Sequence, residues 1–240
     1  MRIPIFITAT ILLALSAEAP SVLQNIPESY SHTATVQLKG KVQLSTASRV
    51  RNIGGGYQSA YSRQSSRGAS SSDSNTDSRV LIWLESANND RKAPRSEPVV
   101  LDQKNKRFQP RLIPIIAGET IRIQNSDPIY HNVFSLSETR KFDVGRRPRG
   151  DYKDVTFNSP GLVDVFCDIH SDMHAMIVVM PRTTAVWTTR NGSGEFTFQN
   201  LEAGSYEINI AALGFDSYSE TITIDEDQQT VELSTIRLER

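Results

Sequence analysis

Between residues 99 and 180 the chain is cut into short strand-like runs, several of which alternate apolar and polar residues. The runs are 99–102 (VVLD), 111–116 (RLIPII), 120–124 (TIRIQ), 131–135 (HNVFS), 154–157 (DVTF), 161–167 (GLVDVFC) and 175–180 (AMIVVM). Turn-forming residues separate them at 117–118, 125–128, 145–150 and 159–161. Such runs are too short and too regular at period two for helices. Amphipathic helical periodicity is essentially absent after residue 20. Short strands at close spacing predict an antiparallel β-sandwich, so the fold class is all-β.

Further β stretches flank this block. Residues 35–44 (TVQLKGKVQL) alternate around Gly40, as a strand or a kinked strand pair would, and 79–85 (RVLIWLE) is again strand-like. In the tail, 195–199 (EFTFQ), 206–211 (YEINIA), 221–224 (TITI) and 230–238 (TVELSTIRL) read as strands. In 206–211, Tyr206, Ile208 and Ile210 fall on one face and Glu207 and Asn209 on the other. Residues 48–78 are dominated by Ser, Gly, Arg, Asn and Asp and have almost nothing to build a core with, so they read as a disordered or excursive loop. Residues 87–97 are charged, carry Pro94 and read as a connector. A length of 240 residues accommodates one large domain or two small ones.

The N-terminus reads as a signal peptide over residues 1–19. Arg2 is followed by an apolar core, 3–15, too short to span a bilayer as a mature helix, then by small residues with Ala17 or Ala19 last before cleavage. The expected location is therefore secreted or periplasmic, with no membrane span after cleavage. The absence of a cysteine near this end argues against a lipid anchor. A formal net charge of −1 gives no reason to expect nucleic acid or an anionic membrane as a partner.

Export gives the cysteine content its meaning. The chain has 1 cysteine, so no intramolecular disulfide can form. That residue lies in Cys167-Asp168-Ile169-His170-Ser171-Asp172-Met173, and upstream lies Tyr130-His131-Asn132-Val133-Phe134. Together they offer one thiolate, two imidazoles and one thioether. Two His and one Cys with a weak axial Met make the ligand set of a mononuclear blue-copper site. Val163, Val165 and Cys167 share a strand face, which aims the sulfur inward at the end of an apolar row. Taken singly, each residue has an ordinary structural reading: a buried Cys as a small hydrophobe, a His as a satisfied polar group, a Met before a strand as core. Their combination points to metal. Structural zinc could use the same Cys and His residues, but it leaves Met173 and Asn132 without a part.

The residues 102–180 resemble a cupredoxin of the plastocyanin and amicyanin type. The matching text is Phe108-x-Pro110, Ala117-Gly118-Glu119-Thr120-Ile121, Asn125-x-Asp127, His131-Asn132-Val133 and Cys167-x-x-His170-x-x-Met173-x-Ala175-x-Ile177. The resemblance implies a Greek-key sandwich with one type 1 copper, bound strongly by His131, Cys167 and His170 and axially by Met173. It gives Asn132 the part of an outer residue that ties the two ligand loops together, as such partners orient ligands and tune a metal. Ile169 and Ser171 stand where relatives often place proline. His174 and Met176 are possible extra ligands; strand alternation turns His174 to solvent and makes Met176 packing.

The tail is similar to a carboxypeptidase regulatory-like, transthyretin-like β-sandwich, on Gly194-Glu195-Phe196, on Asn200-Leu201-Glu202-Ala203-Gly204-Ser205-Tyr206 and on Gly214-Phe215. Its usual first strands are missing from the tail, whereas Lys39-Gly40-Lys41-Val42 and Val80-Leu81-Ile82-Trp83-Leu84 supply their pattern near the N-terminus. The expectation is that residues 34–92 and 183–240 form one small sandwich, with the cupredoxin, 96–181, inserted at a surface connection. The alternative is two domains in series.

The function expected is one-electron transfer by an exported copper protein rather than enzymatic oxidation. No second histidine cluster for oxygen-reducing copper and no acid–base pair in a recognisable frame is visible. Two rivals stand beside it: a copper carrier or storage protein, and a surface module for glycan or peptide with structural copper. Arg140, Lys141, Arg146, Arg147, Arg149 and Lys153 crowd the segment between His131 and the Cys167 strand. They form either a solvated loop or a docking patch for an acidic redox partner.

Overall fold

The computed structural model describes residues 35–45, 79–86 and 92–240; the expected signal and the 48–78 loop lie outside them. Every element is a strand. β1 (Val36–Ser45) and β2 (Arg79–Ser86) come first. The middle of the chain supplies β3 (Val99–Gln103), β4 (Phe108–Gln109), β5 (Leu112–Ile116), β6 (Thr120–Asn125) and β7 (Val133–Ser135). It continues with β8 (Phe142–Asp143), β9 (Tyr152–Thr156), β10 (Gly161–Cys167) and β11 (His174–Met180). The tail forms β12 (Thr184–Asn191), β13 (Gly194–Leu201), β14 (Gly204–Ala212), β15 (Tyr218–Ile224) and β16 (Thr230–Glu239).

The middle strands build two sheets, ordered β5-β11-β10-β7-β8 and β4-β3-β6-β9. One apolar cluster joins them, with Leu101, Phe108, Ile121 and Ile123 from one sheet meeting Ile113, Val163, Val165 and Ile177 from the other. This is a sandwich whose chain crosses repeatedly between sheets, as a Greek key does. The expectation of a purely antiparallel sandwich needs correcting: β5–β11 and β3–β6 run parallel. Such pairs arise because strands brought together by crossovers between sheets need not alternate in direction.

The remaining strands form sheets β13-β1-β16 and β12-β2-β14-β15 around a second cluster. Tyr206, Ile208 and Ile210 point into it, as their alternation requires. β1 lies between β13 and β16, and β2 between β12 and β14, so both N-terminal strands pair with tail strands. β1 is a single strand whose register with β16 shifts between Lys39 and Lys41. At Gly40 the ring of its cross-strand partner Phe196 occupies the space a Cβ would fill.

A third apolar cluster joins the two sandwiches. Leu81, Trp83 and Ala211 of the second meet Leu112, Ile116, Met176, Val178 and Met180 of the first. β11 therefore buries both faces, Ala175, Ile177 and Val179 on one side and Met176, Val178 and Met180 on the other. Its sequence accordingly runs apolar without alternation.

Candidate metal centre

Three elements deliver the candidate ligands to one end of the first sandwich. Cys167 is the last residue of β10, and the inward alternation of Val163 and Val165 carries its side chain into the core. His131 precedes β7 and is held by an isolated bridge: its N–H donates to Arg147 O (3.2 Å) and its carbonyl accepts from Arg147 N (2.7 Å). The loop after Cys167 folds back on itself, with Met173 N donating to His170 O (3.1 Å) and Cys167 N to Met173 O (3.3 Å). Asp168 N donates to Asn132 O (3.3 Å) and so links the two ligand loops.

Cys167 Sγ lies 3.5 Å from His131 Nδ1 and 3.8 Å from His170 Nδ1. One ligand atom from each of the three falls within 4.8 Å of those of the others. Two ligands held to one ion by bonds of about 2.0 Å (N) and about 2.3 Å (S) stand roughly 3.5–3.7 Å apart at trigonal to tetrahedral angles. The three side chains are thus spaced to share an ion. Met173 is buried in the same cluster as Cys167. His131 is fully buried, whereas His170 is half-buried, so His170 is the ligand nearer solvent. Beside it an open pocket of about 330 Å³ is lined by Tyr130, His131, Asn132, Arg146, Asp168 and Ile169.

The other candidate residues fall around this group. His174 and Met176 sit on the opposite face of β11 from Ala175 and Ile177, away from the ligand cluster. His174 Nε2 pairs with Asp164 Oδ1 at 2.7 Å and its ring stacks on Phe166; Met176 packs between the sandwiches. Strand alternation turns both away from the core that holds Cys167. Asn132 ties the loops through its backbone carbonyl, and its Oδ1 is buried without a hydrogen-bond partner among the described residues. Arg147 is engaged within the chain: its guanidinium donates to Val144 O (2.9 and 2.6 Å) and to Asp151 Oδ2 (3.3 Å). Arg140, Lys141, Arg146, Arg149 and Lys153 are exposed, and Arg146 borders the site pocket.

Asp127, which the sequence offered only within Asn125-x-Asp127, proves to touch a candidate ligand. His131 Nε2 lies 2.9 Å from Asp127 Oδ2, both side chains being buried. Asp127 also accepts from Asn105 N (2.6 Å) and Lys106 N (2.8 Å). Burial alone would raise its carboxyl, but the Lys106 N–H, the His131 ring and the Asn105 N–H outweigh it and hold the group below the ordinary carboxylate range. The available signal was a carboxylate four residues before a candidate ligand.

The first sandwich thus gathers His131, Cys167 and His170 at one end of its two sheets. Among solved structures, the chain is similar to a Cu-containing nitrite reductase (NirK) from Thermus scotoductus SA-01 at 24% identity and TM-score 0.34. That match covers 37% of this chain and 23% of the reductase, so this chain spans about a quarter of its length. It is similar to the oxidized P94A mutant of amicyanin at 20% identity and TM-score 0.33, over 34% of this chain and 81% of that one. A purple cupredoxin from Nitrosopumilus maritimus matches at 19% identity and TM-score 0.31, over 34% and 98%. Residues 173–239 match the family model of the carboxypeptidase regulatory-like domain. Strand pairing divides that stretch differently, because β11 hydrogen-bonds to β10 and β5 of the first sandwich. Comparison with curated protein sequences finds no match.

Proposed function

We propose that this is an exported type 1 copper protein that carries one electron, rather than an enzyme. The observation that carries the reading is the grouping of the Cys167 sulfur with one ring nitrogen each of His131 and His170 within 4.8 Å, with Met173 buried in the same cluster as the cysteine. His131, Cys167 and His170 would hold the copper and Met173 would be the axial donor, a soft set that suits copper better than zinc. Bound copper would supply a Cu(II)/Cu(I) couple. The chain's own part is to hold the donors on strand ends and a hydrogen-bonded loop, keeping them in place in either oxidation state. His170, nearer solvent, is the natural exit toward a partner, and Arg140, Lys141, Arg146 and Arg149 would attract an acidic one. Secretion rests on the pattern of residues 1–19. We also take residues 34–92 and 183–240 as one domain into which 96–181 is inserted, a reading supported by the pairing of β1 and β2 with tail strands.

Copper(II) added to the purified protein should give an intense visible band toward the red that bleaches and returns through reduction and reoxidation. Cys167→Ser should abolish it. A colourless wild-type complex would favour the carrier reading, although the engagement of His174 with Asp164 removes one ligand that reading would use.

A further inference from the structure

We propose that Asp127 is a positioning residue of the metal centre, setting the orientation and donor strength of His131 from outside the ligand loops. The inference rests on the copper reading above. An ionised carboxylate only accepts hydrogen bonds. The 2.9 Å contact with Asp127 Oδ2 therefore places the imidazole proton on His131 Nε2. Nδ1 is left with its lone pair, and Nδ1 is the atom that faces Cys167 Sγ at 3.5 Å. A carboxylate behind a ligating histidine locks its tautomer and makes it a stronger donor.

What holds Asp127 lies in a distant hairpin. Lys104 and Arg107 exchange backbone hydrogen bonds at 3.0 and 3.2 Å, closing a two-residue turn between β3 and β4. Its central residues, Asn105 and Lys106, have φ of 56° and 55°, the left-handed geometry of a type I′ turn. That geometry aims both of their N–H groups at the carboxylate, one to each oxygen. A third restraint is the bond from Asp127 N to Asn125 Oδ1 at 2.9 Å. None of these groups belongs to the Cys167–Met173 loop, so the first histidine is oriented before any metal arrives.

The test begins with copper-free wild-type protein. Nitrogen-15 NMR of the imidazoles should find His131 as the Nε2–H tautomer; the Nδ1–H tautomer would overturn the proposal. Asp127→Asn should then weaken metal affinity about 10–100-fold, measured with both copper and zinc. It should also raise the reduction potential, because removing the negative charge behind His131 disfavours Cu(II). Lower thermal stability with unchanged affinity, potential and visible spectrum would mean a merely structural Asp127 and would sink the idea. If wild-type protein shows no blue band, the copper reading falls, while the tautomer and the zinc affinity still decide the role of Asp127.

Discussion

At the scale of single residues, the candidate site separates side chains that face Cys167 from those that merely neighbour them in sequence. His170 and His174 are four residues apart, yet one faces Cys167 and the other is stacked on Phe166 and paired with Asp164. His174→Ala should therefore leave copper affinity and colour unchanged within error, read by titration and absorbance. Met173→Leu keeps the buried volume nearly constant but removes a soft donor. It should leave the thiolate band in place and shift the potential, since the axial ligand tunes that quantity. Glu119 shows the pH logic. Burial disfavours its charge, but three donors of Arg95 (3.0, 2.8 and 2.7 Å) and the Ile116 N–H (3.0 Å) hold its pKa below the usual 4.5. A depressed carboxyl contributes stability that is fully present above its unfolded pKa and is lost as pH falls through the folded one. Wild type should thus be more stable than Glu119→Gln at neutral pH, with the gap closing below pH 4.5 in denaturant titrations at several pH values.

At the scale of elements, close approach decides which residues a strand tolerates. Gly40 in β1 faces Phe196 in β13, whose ring fills the space above it. Gly40→Ala should cost about 1–3 kcal/mol through overpacking, measured by chemical denaturation. Adding Phe196→Leu should recover part of that loss. A Gly40→Ala protein as stable as wild type would show that β1 and β13 separate easily. β11 teaches the converse. Its unbroken apolar run could be read as a strand buried on both faces, but nothing in it names the surface that covers Met176, Val178 and Met180. That surface is the outer side of β2 and β14.

At the scale of the molecule, the two sandwiches share a covered apolar face, and the second one is assembled from both ends of the chain. A fragment of residues 183–240 lacks β1, the strand between β13 and β16, and β2, the strand between β12 and β14. It should stay unfolded, with poor amide dispersion by NMR, and gain structure when supplied with 34–92. The isolated 96–181 segment keeps its own core but bares Leu112, Ile116, Met176, Val178 and Met180. It should self-associate, and replacing Met176 and Val178 with polar residues should restore a monomer, as judged by sedimentation.

The all-β class and the inward aim of Cys167 were legible in the chain because they depend on residue type and on period-two alternation, both local quantities. The pattern of Gly40 and residues 80–84 also pointed the N-terminal strands toward the tail. The parts of Asp127 and Arg147, the pairing of His174 with Asp164, and the partner of the outer face of β11 were decided by tertiary structure. Alternation says which face a side chain takes and not what lies across from it. Asp127 depends on a hairpin turn some twenty residues away, whose left-handed N–H groups meet its carboxylate only once β3, β4 and β6 are packed.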